Sequence, residues 1–191
     1  MDRTDADLVA QLRAGDEAAM SRLVDQWSPA MFRLARSYVD SVQSAEDVVQ
    51  DAWLGMLSGL ATFEDRSSLR TWTFTILVNR ARTRGAREAR TLPRSPLAGQ
   101  DGAAAGDWLA GPACEPGPES VVLSKEILIQ LDRALAELPP RQRQVVTMRD
   151  LAGMPAEEVC AALDISPANQ RVLLHRARAV LRAALAGYYG A

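Results

Sequence analysis

Residues 91–118 are expected to divide the chain into two parts, each with a core of its own. The stretch, TLPRSPLAGQDGAAAGDWLAGPACEPGP, is mostly Pro, Gly, Ala, Ser and acids, with no apolar period. A structureless loop of that length inside one compact domain would be exceptional, so it is read as a flexible interdomain linker. On either side apolar residues recur at helical spacing, and no hairpin or strand pair is signalled. The expected fold is therefore all-α: two small helical domains, 1–90 and 119–191, joined by residues 91–118. A hydrophobic content of 48% suffices for two cores, and an aromatic content of only 5% favours helices over sheets.

In the first domain a helix is expected from Asp5 to Ala14, with Leu8, Val9 and Leu12 inward and Gly15 as its left-handed stop. A second begins near Asp16 and turns Met20, Leu23, Val24, Trp27, Met31, Leu34 and Ala35 inward, with Pro29 expected to kink or split it. Ser44 is expected to cap a third helix, with Val48, Val49, Ala52, Trp53, Met56 and Leu57 as its buried stripe. Ser67 or Ser68 caps a fourth, SLRTWTFTILVNRARTRGAREAR, which passes from apolar to basic.

The second domain is expected to open near Glu119 with a helix carrying Val122, Ile127, Leu128, Leu131 and Leu135, stopped at Pro139 and Pro140. A helix from Pro140 to Leu151, ended by Gly153, comes next. Pro155 is expected at the first position of a helix to Leu163, and Ser166 with Pro167 marks the start of the last one. Two helices with a three-residue turn between them and a basic second member describe a helix-turn-helix.

The formal net charge of -2 conceals a segregation. Residues 1–65 hold 5 basic and 12 acidic groups, 66–94 hold 8 and 1, 95–140 hold 2 and 7, and 141–191 hold 7 and 4. Two basic blocks set between acidic ones point to two DNA-facing surfaces, although either block alone would pass for a solvated helix face. All basic residues but Lys125 are arginines. That suits phosphate and base edges, and equally fits codon usage in a GC-rich genome.

In the last helix Arg171, Arg176, Arg178 and Arg182 recur at three- and four-residue spacings, against an inner face of Leu174, Ala177 and Leu181. Residues near the start of such a helix reach base edges, and later arginines reach phosphates. Arg149, ahead of the turn, is a candidate for a further backbone contact. In the first domain Trp72 and Phe74 precede Asn79, Arg80, Arg82, Arg84 and Arg87, a pairing of aromatics with basic residues that can hold unpaired nucleotides; the alternative is that the aromatics belong to the core.

Other classes are poorly supported. Cys114 and Cys160 are far apart, His175 is the sole histidine, and no glycine-rich phosphate loop or nucleophile with a partner base is present. No enzyme activity, metal, cofactor or small-molecule substrate is expected. No apolar run approaches the roughly 20 residues of a membrane helix, so a cytoplasmic protein is expected. With the chain ending at Ala191, soon after the last helix, no further C-terminal domain is expected.

The segment SAEDVVQDAWLGML, from Ser44 to Leu57, followed by Phe63 and RSSLRTWTFTILVNRARTRGARE, resembles region 2 of extracytoplasmic-function (ECF) sigma factors. LPPRQRQVVTMRDLAGMPAEEVCAALDISPANQRVLLHRARAVLR, from Leu138 to Arg182, resembles their region 4. The resemblance implies an alternative sigma factor that binds core RNA polymerase and directs promoter-specific initiation. It implies that Asp47, Gln50, Asp51 and Trp53 dock on the clamp coiled coil of the largest polymerase subunit. It also implies that Arg70, Trp72, Asn79, Arg80, Arg82 and Arg84 open and hold the minus-ten element, with Asn79 and its neighbours around a flipped base. Arg149, Asn169, Arg171, His175, Arg176 and Arg178 would serve the minus-thirty-five element, and region 4 would also touch the polymerase flap. By the same likeness the acidic linker threads toward the active-site cleft, and an anti-sigma factor holds the protein inactive.

The chain departs from the family pattern at Gln170, where an apolar core residue is usual, and at Val172 and Leu173, where a small polar residue and an arginine are usual. Either the last helix is rotated or the base preference differs. Met154 stands where the family has a capping residue. The main rival is a conventional helix-turn-helix regulator acting outside the polymerase, which predicts duplex binding by the free chain. A helical adaptor comes third.

Overall fold

The computed structural model describes residues 3–91 and 118–189, and the side chains of 5–90 and 127–186. Every regular element among them is helical. The chain divides into two compact units, Met1–Asp101 and Gly102–Ala191. The expected linker lies outside the described residues except at its ends, where Thr91 closes one helix and Pro118 opens the next.

The first unit packs four helices: α1 (Arg3–Arg13), α2 (Glu17–Ala35), α3 (Val42–Gly59) and α4 (Leu69–Thr91). Gly15, at φ +79°, ends α1 in a Schellman turn, its N–H donating to Leu12 O and that of Asp16 to Gln11 O. Asp16 then caps α2 by accepting from the Ala19 N–H at 3.0 Å. Pro29 neither splits nor ends α2, which runs unbroken to Ala35.

Helix α3 begins earlier than the sequence suggested. Ser41, in extended backbone, is its cap and accepts from the Ser44 N–H at 3.0 Å. Ser44 is buried in the first turn rather than standing before it. A serine three residues upstream offers the same cap chemistry, and apolar spacing cannot rank the two. Ser68 caps α4, accepting from the Thr71 N–H at 3.1 Å.

The unit's core joins Leu23, Trp27, Met31 and Leu34 of α2 to Val48, Ala52, Trp53 and Met56 of α3 and Phe74, Leu77, Val78 and Ala81 of α4. Arg13 ties α1 to the single 3-10 turn Leu60–Thr62 after α3, donating to Leu60 O at 3.1 Å and Phe63 O at 2.8 Å.

The second unit holds α5 (Pro118–Glu137), α6 (Pro140–Val146), α7 (Ala156–Leu163) and α8 (Pro167–Tyr189). The expected helix to Leu151 changes character at Thr147, widening into a π-turn over Thr147–Leu151, with the Ala152 N–H reaching back to Thr147 O at 2.8 Å. Pro155 is the cap of α7 rather than its first residue, because its carbonyl already accepts the first helical bond, from Val159. Met154 is correspondingly a core side chain, and no side chain caps α7.

Asp164, at φ 54°, ends α7 in the left-handed conformation, and Ser166 caps α8 by accepting from the Asn169 N–H at 3.2 Å. The turn between α7 and α8 is thus Asp164–Ser166, three residues as expected. Leu135, Leu138, Val145, Val146, Met148, Val159, Leu163, Leu174 and Ala177 close the core.

Candidate nucleic-acid interfaces

Helix α3 has two unlike sides. Ala45, Val48, Val49, Ala52, Trp53 and Met56 are buried, whereas Gln50 and Asp51 are exposed and Asp47 is half-exposed. Trp53 belongs to the core: its ring stacks on Trp27 at 6.1 Å and 15°, and its indole N–H donates to Ser28 Oγ at 3.2 Å. It cannot stand in one outward row with Asp47, Gln50 and Asp51. Leu57, expected in the buried stripe, is 46% exposed, and Leu54 is 55% exposed. Spacing explains both, since Asp47, Gln50, Asp51, Leu54 and Leu57 recur every three or four residues along one side. The sequence carried that signal, but hydrophobicity assigned Leu57 to the wrong stripe.

On α4 the aromatic positions are structural in different degrees. Phe74 is fully buried. Trp72 is half-buried, tilted against Phe63 with centroids 4.8 Å apart, and lies so close to Gly59 that a Cβ there would meet it at 3.0 Å. Arg70 lies over the Trp27 ring at 5.3 Å, a cation–π contact.

Past this packed turn Asn79, Arg80, Thr83, Arg87 and Arg90 are exposed, and Arg82 is half-buried. Arg84 turns back to α3, bonding Asp47 at 3.2 Å and Glu88 at 2.9 Å. Its hydrogen bond to Glu88 holds the guanidinium pKa above its ordinary value, with burial opposing and Asp47 adding. Two residues assigned to different partners, Asp47 and Arg84, are therefore brought together.

In the helix-turn-helix, Gln170, Leu174 and Ala177 are buried, so α8 keeps the usual inner face and is not rotated. The departures at 172 and 173 fall elsewhere: Val172 is 48% exposed and Leu173 is half-buried. Asn169, Arg171, His175 and Arg176 are all exposed.

Arg178 is engaged within the unit, its Nε and Nη2 donating to the Asp150 carboxylate at 2.8 and 2.6 Å, and this pairing raises its pKa. Arg149 donates to the Met154 carbonyl and so closes the loop between the π-turn and α7. Neither interaction was visible in the sequence, because both depend on the π-turn bringing 149–150 beside the loop and α8.

Among the described residues no group of His, Cys, Asp and Glu is arranged to hold a metal, and no helix is long and apolar enough to cross a membrane.

The sequence matches two family descriptions in order: "Sigma-70 region 2" over residues 23–91 and "Sigma-70, region 4" over residues 128–181. It is 31% identical over 177 residues to the ECF RNA polymerase sigma-E factor of Escherichia coli (strain K12), covering 92% of this chain and 91% of that protein. Against the RNA polymerase sigma-H factor of Pseudomonas aeruginosa the identity is 26% over 184 residues, 95% and 93% of the two chains. Two solved structures share the fold at 24% identity. CnrH in complex with the cytosolic domain of CnrY gives a TM-score of 0.56 over 96% of this chain and 97% of that one. The sigma factor RpoE in complex with the anti-sigma factor NepR from Bartonella quintana gives 0.55 over 82% and 90%.

Proposed function

The chain belongs to the ECF branch of the sigma-70 family of RNA polymerase sigma factors, and we propose from that premise how its surfaces divide the work of starting transcription. It is an alternative sigma factor that directs transcription initiation. Residues 1–90 bind core polymerase and the minus-ten element, residues 119–191 bind the minus-thirty-five element, and residues 91–118 join them.

The polymerase-binding row is Asp47, Gln50 and Asp51, extended by Leu54 and Leu57. Two exposed leucines beside acids suit a partner helix with apolar and basic side chains, such as the clamp coiled coil of the largest subunit. Trp53 supports this row from within. The exposed side of α4, with Asn79, Arg80 and Arg82 and then Arg87 and Arg90, holds the melted non-template strand, while Arg70 and Trp72 brace its packed end. Extruding a base costs a few kcal/mol of stacking, which contacts from Asn79 and its neighbours offset.

On α8, Asn169, Arg171, His175 and Arg176 face the upstream element, and Arg178 and Arg149 hold the frame that presents them. The same unit contacts the polymerase flap. Duplex opening draws on binding free energy alone, with no bond-making residue. An anti-sigma factor covering the α3 row is the expected regulator, by likeness to RpoE held by NepR.

One observation carries this reading: an acidic row with exposed leucines on α3 and a basic exposed face on α8 occur in one chain with helix-turn-helix geometry. Gel filtration with core polymerase, paired with duplex-binding titrations of the free chain, tests it. Co-elution with core and weak duplex binding by the free chain are expected. Tight duplex binding without co-elution would favour a conventional regulator.

A further inference from the structure

An α-helix turns about 100° per residue, so the buried residues of α8 fix what lies on its outermost line. Gln170, Leu174 and Ala177 define the inner side. Val172, two residues after Gln170 and two before Leu174, lies at the opposite pole, and it is 48% exposed. Ala168 and Ala179 share that line and are too small to screen it. Arg176, one turn on, and His175 flank Val172, with Asn169 a turn before. A branched apolar side chain there contributes nothing to the core and is a mediocre helix former, so the fold gives no reason for it. Only alanines share its line, hydrogen-bond donors and positive charge flank it, and the other exposed valine of the helix, Val180, lies about two turns further on and well to one side.

In the major groove thymine alone presents a methyl group at its edge, whereas the other bases present donors and acceptors that an aliphatic side chain leaves unpaired. We infer that Val172 is a specificity-determining residue of the recognition helix, its methyls meeting the C5-methyl of a thymine in the minus-thirty-five element. The flanking Asn169, His175 and Arg176 supply polar contacts on either side. The half-buried Leu173, turned toward the inner flank, does not compete for that base. This inference rests on the sigma-factor reading and adds to it the base that the helix selects.

The test uses holoenzyme assembled from core polymerase and the full chain. Preferred minus-thirty-five elements are first selected from a randomised promoter library. Each thymine in the preferred element is then replaced by deoxyuridine, which removes only the methyl. At one position open-complex formation by the wild type is expected to fall about fourfold, the effect of losing one buried methyl. Val172→Ser should abolish that difference at that position alone, and Val172→Thr, which keeps a methyl, should retain most of it. Equal responses to thymine and deoxyuridine at every position, or an unchanged difference in Val172→Ser holoenzyme, would overturn the inference while leaving the sigma reading intact. Wild-type holoenzyme that initiates from no library member would overturn the sigma reading and the inference together.

Discussion

Arg84 on α4 sits 3.2 Å from Asp47 on α3, and the same guanidinium bonds Glu88 at 2.9 Å and Ser44 at 3.4 Å. Burial by itself would push the Glu88 carboxyl up, but hydrogen bonds from Ser44, Arg84 and the Asp40 backbone hold it below the ordinary glutamate range. A carboxyl depressed on folding adds stability above its unfolded value and loses it as pH falls through the folded one. Glu88→Gln should therefore cost about 1 kcal/mol at pH 7, between an exposed pair and a buried charged hydrogen bond. The gap from wild type should close in acid once both states are protonated. Urea unfolding from pH 7 to pH 3 measures it, and a pH-independent gap would contradict the network.

The two sides of α3 predict opposite kinds of loss. Trp53→Phe removes the indole donor to Ser28 and should cost about 1 kcal/mol of stability, and Trp53→Ala about 3–5 kcal/mol. Leu54→Asp and Asp51→Arg alter exposed positions and should leave the melting temperature nearly unchanged while weakening core polymerase binding at least tenfold. Melting curves and polymerase titrations on the same four variants separate the two sides. Equal polymerase affinity across them would remove α3 from the interface.

Gly85 lies where α4 closely approaches the loop that follows α2. A Cβ there would run into the Tyr38 carbonyl oxygen, a backbone atom that no rotamer change can move. Gly85→Ala, ordinarily favourable by up to about 1 kcal/mol inside a helix, is instead expected to destabilise by about 1–3 kcal/mol. Denaturant unfolding gives the sign directly, and a stabilised variant would mean that the two segments part easily.

Asp150 and Arg178 are partly exposed, so their bidentate pair competes with solvent and with phosphate. Asp150→Asn should free Arg178 for a backbone contact, strengthen binding to minus-thirty-five duplex, and steepen the salt dependence by about one phosphate. Titrations at several salt concentrations read both quantities. An unchanged slope would mean that Arg178 does not reach DNA even when released.

Local chemistry was legible where a single residue type decides the geometry. Gly15 ends α1, and Ser166 with Pro167 opens α8, because left-handed backbone and a hydroxyl cap ahead of proline leave few alternatives. The choice between Ser67 and Ser68 for α4 stays open in the sequence, and the Thr71 N–H donating to Ser68 decides it. Two equivalent hydroxyls within a turn of each other were not separable by spacing, and Ser41 rather than Ser44 is the cap of α3; Pro155 differs by a single position, capping α7 instead of opening it, because proline suits both places.

The candidate sites were legible as segments but not as side chains. Trp53, Arg84, Arg149 and Arg178 all turn to partners inside their own unit, and a spacing rule cannot supply a partner 28 or 37 residues away. Exposed Leu54 and Leu57 were missed for the converse reason, since hydrophobicity implies burial only when another surface is present to cover it.

The central claim, that this chain gives core polymerase its promoter choice, is tested most directly by run-off transcription from a genomic promoter library using purified core with and without the protein. The account predicts initiation that depends on the protein and maps to promoters sharing two spaced sequence elements. No added transcripts and no binding to core, with the free chain still gripping duplex DNA, would contradict it.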